Sequence, residues 1–276
     1  MDRIESVPLG LRWIDDAFAV SPVAGGFGTV LADMTNAKAA LRIMRGARIP
    51  ATMAHLILRA CAIVLSRNPN FHQMVCNYKR LTPGRVDIGL SLAGETTYAP
   101  VVVIGEADRL PLLDLVPAVI SAVDAAMEKE KVDLANMRKY LWLIPFGFLR
   151  RFFIRLMNRS LWFRRRIAGT FQVSLVPSCD TVVPLMFYTG AVLAAGSLRD
   201  RVVAIDGKPA VRPTMWLTLA ADHISLDGAR AGELIEAIRI LLEGDELVRE
   251  AREAVAAKQA AGLPAGTPDG EERAPR

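Results

Sequence analysis

Only three of the 276 residues are histidines, His55, His72 and His223, and only three are cysteines, Cys61, Cys76 and Cys179. The cysteines have no metal-ligand spacing, so no metal site is expected. Their odd number, with no secretory leader ahead of them, implies free thiols in a reducing cytoplasm. The N-terminus lacks the basic, apolar and small-residue succession of such a leader. No uninterrupted apolar run is long enough for a transmembrane helix. The chain is nonetheless 52% hydrophobic, with a mean hydropathy of +0.27.

One segment lacks acidic residues altogether. Residues 138–166 contain Arg138, Lys139, Arg150, Arg151, Arg155, Arg159, Arg164, Arg165 and Arg166, and no Asp or Glu. The whole chain carries 34 basic against 29 acidic groups, a net charge of +5. Without the segment the balance is 25 against 29, a net charge of −4. The basic pI of about 9.3 is therefore local, and no nucleic-acid partner follows from it.

What is present reads as one α+β domain with a mixed sheet, helices on one side and no internal repeat. Strands are expected at 27–32, 71–78, 86–92, 101–104, 169–174, 184–189 and 191–198. The runs 71–78 and 86–92 are read as joined by a turn at Pro83-Gly84. A hairpin is expected from Val202-Val203-Ala204-Ile205 through Asp206-Gly207 to 209–212, because Asp-Gly between apolar runs marks a tight turn. A final strand follows at 215–221. Helices are expected at 12–18, 36–45 and 51–67, at 110–134 as one helix or two around Pro117, and after Asp227 and Asp245. The single domain is placed at 1–258, with a helical insertion at about 137–167 and a disordered tail at 259–276.

Asp222-His223-Ile224-Ser225-Leu226-Asp227-Gly228 joins the last strand to a helix. Histidine has the side chain whose ordinary pKa lies nearest neutrality, which suits a general base. Asp227 is a good N-cap, and Ala231, Leu234, Ile235, Ile238 and Leu241 recur behind it at helical spacing. By themselves these residues fit a capped helix with a packed histidine at least as well as a catalytic one.

Other blocks, taken in order, extend the pattern: Ala32-Asp33-Met34-Thr35, Thr52 to Asn70 ending in Asn68-Pro69, Val86-Asp87-Ile88-Gly89-Leu90, Pro100-Val101-Val102-Val103-Ile104, Gly169-Thr170-Phe171-Gln172-Val173-Ser174, and Val203 to Pro213. Together with His223 to Gly228 they resemble the catalytic domain of the dihydrolipoamide acyltransferases of 2-oxoacid dehydrogenase complexes and, more distantly, chloramphenicol acetyltransferase. The resemblance covers roughly residues 27–245, bar the basic segment. It implies the two-layer α+β sandwich of the CoA-dependent acyltransferases, assembled as a homotrimer or a larger set of trimers with its active site between subunits. It implies that His223 is the general base, that Ser174 donates to the oxyanion and that Asp227 is structural, with Arg12 as its partner. It also implies coenzyme A or acyl-CoA as substrate, with a lipoyl group, a carrier protein or a small molecule at the other end of the transfer.

The chain departs from that family in several ways. Only 26 residues precede Phe27, too few for a lipoyl domain, so no covalent lipoyl group is expected. Ile224 stands where the family has Arg. Ser174-Leu175-Val176-Pro177 replaces the family's loop after the oxyanion serine. The basic segment is longer and more aromatic than the family's connection, and on a helix Leu149, Phe152, Phe153, Leu156 and Met157 share a face. Aromatics with arginines suit an anionic membrane surface or an acidic carrier protein. The localisation expected is cytoplasmic, peripheral to the inner membrane face. The competing reading is a catalytically quiet trimeric scaffold recruited through the basic segment.

Overall fold

A computed structural model describes residues 25–76, 79–92, 101–143, 146–186 and 188–261, without the side chains of residues 76 and 129–143. The expected helix at 12–18, Arg12 and most of the expected tail lie outside the described residues. Among the described residues nine strands run as β1 Gly25–Asp33, β2 Met74–Cys76, β3 Lys79–Leu81, β4 Ile88–Ser91, β5 Val101–Ile104, β6 Phe171–Leu175, β7 Ala191–Ala195, β8 Arg199–Ile205 and β9 Lys208–Asp222. The helices are α1 Thr35–Gly46, α2 Met53–Arg67, α3 Leu112–Leu143, α4 Gly147–Asn158, α5 Leu161–Ala168, α6 Gly228–Glu243 and α7 Glu246–Ala260.

The main sheet has the order β1-β9-β7-β6-β4-β5, with β8 also on β9. The β4–β6 and β6–β7 pairs are parallel and the others antiparallel, so the sheet is mixed as expected. Successive strand residues face opposite sides. Ile88, Leu90, Phe171, Val173, Leu193, Leu217 and Leu219 point into one core with Leu56 and Ile57 of α2 and Leu234 and Ile238 of α6. Alternate residues point the other way, where Val192 and Ala220 pack on Met186. Ser174 follows Val173 and so lies on that second face.

Three expectations are corrected. The Pro83-Gly84 turn does not join hairpin partners: β2 pairs with β3 in a small separate sheet, while β4 lies between β5 and β6. Residues 184–186 and 188–189 form no strand. Both edges of β7 are already taken by β6 and β9, and Pro184 lacks a donor, so the segment covers the second face instead. The hairpin arm and the final strand are one strand, β9, which pairs first with β8 and then with β7. Pro213 interrupts neither, and its carbonyl accepts from Met34 N at 2.7 Å. In α3, Pro117 is contained within one continuous helix.

Candidate active site

Asp222, the last residue of β9, pairs with Gly25 of β1. A turn at 223–226 leads into α6, where Asp227 Oδ1 accepts from Arg230 N at 2.9 Å. That contact settles the N-cap role by local physics: a short acidic side chain satisfies an otherwise unpaired helix donor and meets the positive helix end. Asp227 is exposed, and the Arg230 guanidinium lies 3.7 Å away. The expected Arg12–Asp227 pair involves a residue outside those described.

His223 is exposed at this corner and Ile224 beside it is 64% exposed. The other two histidines are buried. His55 Nδ1 accepts from Thr52 N at 2.9 Å, closing a capping box at the start of α2. Burial lowers its pKa to about 4 despite the hydrogen bonds at Thr52 and Val116, and it lowers that of His72 to about 4 despite nearby Asp87 and Asp108. Neither can meet a substrate. His223 is the histidine that can.

The turn holding His223 is tightly tied. Asp222 N donates to Gly190 O at 2.9 Å, and Ser225 N and Leu226 N both donate to Asp222 O. Asp222 Oδ1 accepts from Ile224 N at 3.2 Å and Oδ2 from Ser225 Oγ at 2.8 Å. Ser225 is buried, and its Oγ also accepts from Val75 N at 2.9 Å. The Asx-type contact between Asp222 and Ile224 is readable from a short acidic residue at a strand end. The link to Val75, 150 positions away in the chain, has no local signal.

Ser174 lies elsewhere in the same protomer. It is half-buried in β6, beside Ser91 of β4 and Ala194 of β7, and Ala194 in turn faces Thr218 of β9. His223 is five residues beyond Thr218, one past the end of β9. At ~3.3 Å per strand residue and ~4.8 Å per strand, the two are on the order of 20 Å apart. One protomer therefore does not bring His223 and Ser174 together. Among the described residues no cluster of His, Cys, Asp and Glu could hold a metal ion.

Two arginines of the basic segment are structural. Arg165 Nε donates to Asp87 Oδ2 at 2.7 Å. Arg164 donates to the carbonyls of Tyr188, Val75 and Thr189 at 2.7, 3.0 and 3.3 Å. The neighbouring α4 buries Ile154 and exposes Phe148, Phe152, Phe153 and Leu156. Trp162 is 69% exposed, with the Arg166 guanidinium 5.5 Å from its ring. Among the described residues no helix is long and apolar enough to cross a membrane.

Residues 179–248, which contain the His223 turn, match the family described as 2-oxoacid dehydrogenases acyltransferase (catalytic domain). A stretch of 55 residues is 40% identical to the dihydrolipoyllysine-residue succinyltransferase component of the 2-oxoglutarate dehydrogenase complex of Rickettsia bellii. That stretch is 20% of this chain and 14% of the relative. The fold extends the likeness much further. It is similar to the dihydrolipoamide acetyltransferase of Azotobacter vinelandii, with a TM-score of 0.67, 20% identity, and coverage of 91% of this chain and 94% of that one. A serine, a histidine and an asparagine have been investigated in the catalytic mechanism of that enzyme. Chloramphenicol acetyltransferase is similar at a TM-score of 0.50 and 11% identity, over 86% of this chain and 96% of that one. The expected family resemblance and the expected acyltransferase fold are both upheld.

Proposed function

We propose that this chain, a divergent relative of the 2-oxoacid dehydrogenase acyltransferase catalytic domains, moves an acyl group between two thiols, with His223 as general base. The carrying observation is the exposed His223 held on a tied turn inside the matched residues, while both other histidines are buried and neutral. The acyl group travels between coenzyme A and a lipoyl, carrier-protein or small-molecule thiol.

A free thiol has a pKa near ~8.5, so little thiolate exists at neutral pH. His223 takes the thiol proton as sulfur attacks the thioester carbonyl. The carbonyl oxygen becomes an oxyanion, to which the Ser174 hydroxyl donates a hydrogen bond. Collapse expels the second sulfur, which takes the proton back from the imidazolium. No net charge or oxidation state changes.

The separation of Ser174 from His223 within one protomer supports a site shared between two copies, His223 from one and Ser174 from the next. A cyclic trimer supplies such a heterologous contact three times. In the Azotobacter enzyme the asparagine follows its histidine by four residues, the spacing at which Asp227 follows His223. Asp227 accordingly acts here through the helix start it caps.

The test is acyl transfer from acyl-CoA to dihydrolipoamide by His223→Ala and Ser174→Ala proteins. Each is expected to lose roughly 10²–10³-fold in rate. Mixing the two inactive proteins and letting subunits exchange restores activity, because some interfaces then hold both native residues. Undiminished turnover by His223→Ala removes the general-base assignment, and no recovery on mixing removes the shared site.

We further propose that the α4–α5 surface contacts an anionic membrane. What supports it is the exposed Phe148, Phe152, Phe153, Leu156 and Trp162 on two helices that also carry Arg150, Arg151, Arg155 and Arg166 and no acidic residue, the composition of interfacial helices. Co-sedimentation with vesicles containing phosphatidylglycerol is expected, and it should fall sharply on Phe148→Ser with Phe152→Ser. Equal partitioning of the two proteins, or binding to an acidic carrier protein instead, overturns it.

A further inference from the structure

We infer that Arg164, on a helix of the basic segment, is a positioning residue for His223, acting through Val75, Gly190 and Ser225. The inference rests on His223 as the base, and its reach goes beyond the residues that touch substrate.

Three stretches of chain meet behind the histidine: Gln73 to Val75, Tyr188 to Gly190, and Asp222 to Leu226. They meet closely. A Cβ on Gly190 would lie 2.3 Å from Gln73 O and 3.3 Å from Ser225 Cβ. Two of the three stretches end directly on the His223 turn, through Val75 N to Ser225 Oγ and Asp222 N to Gly190 O. Arg164 grips those same two. Its Nη1 binds the carbonyl of Val75, and its Nε and Nη2 bind those of Tyr188 and Thr189. Tyr188 stands at φ 63°, a left-handed conformation that a non-glycine residue holds only when its surroundings impose it. Its ring also packs edge-on against Phe163 of α5, with centroids 6.3 Å apart.

A planar guanidinium with fixed donors can span three carbonyls where an ammonium cannot. Attachment of α5 does not by itself require this, because Arg165 already binds Asp87 at 2.7 Å. Ser225 completes the path: its single hydroxyl receives Val75 N and donates to Asp222 Oδ2, at 2.9 and 2.8 Å. Asp222 and Ser225 bracket His223 and Ile224, so a shift in either stretch tilts the imidazole. Displacement of a reacting group by about 1 Å can cost 10²-fold in rate.

The experiment uses the full chain with Arg164→Gln, Arg164→Lys, Ser225→Ala and the Arg164→Gln/Ser225→Ala double variant. Expected are kcat losses of roughly 10–100-fold with little change in KM for acyl-CoA, no rescue by lysine, and a double variant no worse than the poorer single one. Amide hydrogen exchange gives a readout independent of turnover: residues 222–226 lose protection in Arg164→Gln while α7 keeps its own. Native kcat per folded protein in Arg164→Gln and Ser225→Ala, or unchanged exchange at 222–226, overturns the inference. If His223→Ala is fully active the base assignment fails instead, and the exchange experiment alone then decides whether Arg164 holds the turn.

Discussion

A Cβ on Gly89 would stand 2.3 Å from the carbonyl oxygen of Ala168 at the end of α5. That oxygen is backbone and cannot rotate away, so β4 or α5 must shift. Gly89→Ala is expected to cost about 1–3 kcal/mol, or roughly 3–10 °C in melting temperature, checked by thermal unfolding. Asp87, next to it, is buried against the same helix. Burial pushes its carboxyl up, but Glu106 N and the Arg165 guanidinium outweigh that and hold it below the usual carboxylate range. Asp87→Asn keeps the shape and removes the charge that Arg165 meets. The expected loss is about 2 kcal/mol in urea unfolding, and a neutral outcome would mean that Arg165 is served by solvent.

Elements are joined by a second charged network on the helix side. Arg59 of α2 donates to Glu250 of α7 at 2.8 Å and to the carbonyl of Asp108 at 3.1 Å. Glu250 also accepts Leu112 N at 2.9 Å, capping the start of α3. Both side chains are mostly buried, at 14% and 13% exposure, so screening is weak and the pair acts as a clamp on three helices. Glu250→Ala leaves the Arg59 charge and the Leu112 donor without their partner. A loss of about 3 kcal/mol is expected from urea unfolding.

At the scale of the molecule, two buried neutral histidines make stability depend on pH. Their native pKa values of about 4 lie below the ordinary histidine value of 6.5. The unfolded chain therefore binds these protons first as pH falls. Stability is complete above ~6.5 and is lost between ~6.5 and ~4, by up to about 1.4 kcal/mol per pH unit for each histidine. The depressed Asp87 carboxyl adds a further loss in the acid range below that. Urea midpoints at pH 7.5, 6 and 5 should fall in order, and a flat series would contradict the burial of these imidazoles.

Much of this architecture was legible because its signals are local. Asp206-Gly207 closes the β8–β9 hairpin, apolar spacing marks α2 and α6, and Asp227 caps the helix behind His223. The histidine, its turn and the family pattern around it could be read without coordinates for the same reason: each depends on neighbours within a few residues. What lay beyond the sequence was every relation set by burial or by distant chain. Strand partners need the sheet to be assembled: local pattern joins 71–78 to 86–92 and predicts a strand at 184–189, whereas β2 pairs with β3 and residues 184–186 and 188–189 form no strand. Periodicity marks an apolar face on α4 but says nothing of which side is covered, and packing placed Ile154 inward and the phenylalanines outward. Tertiary structure also left His55 and His72 buried, put Ser174 at the far end of the sheet from His223, and brought Arg164 and Val75 behind the His223 turn. Backbone carbonyls carry no side-chain identity, so no residue type along the chain could announce that contact.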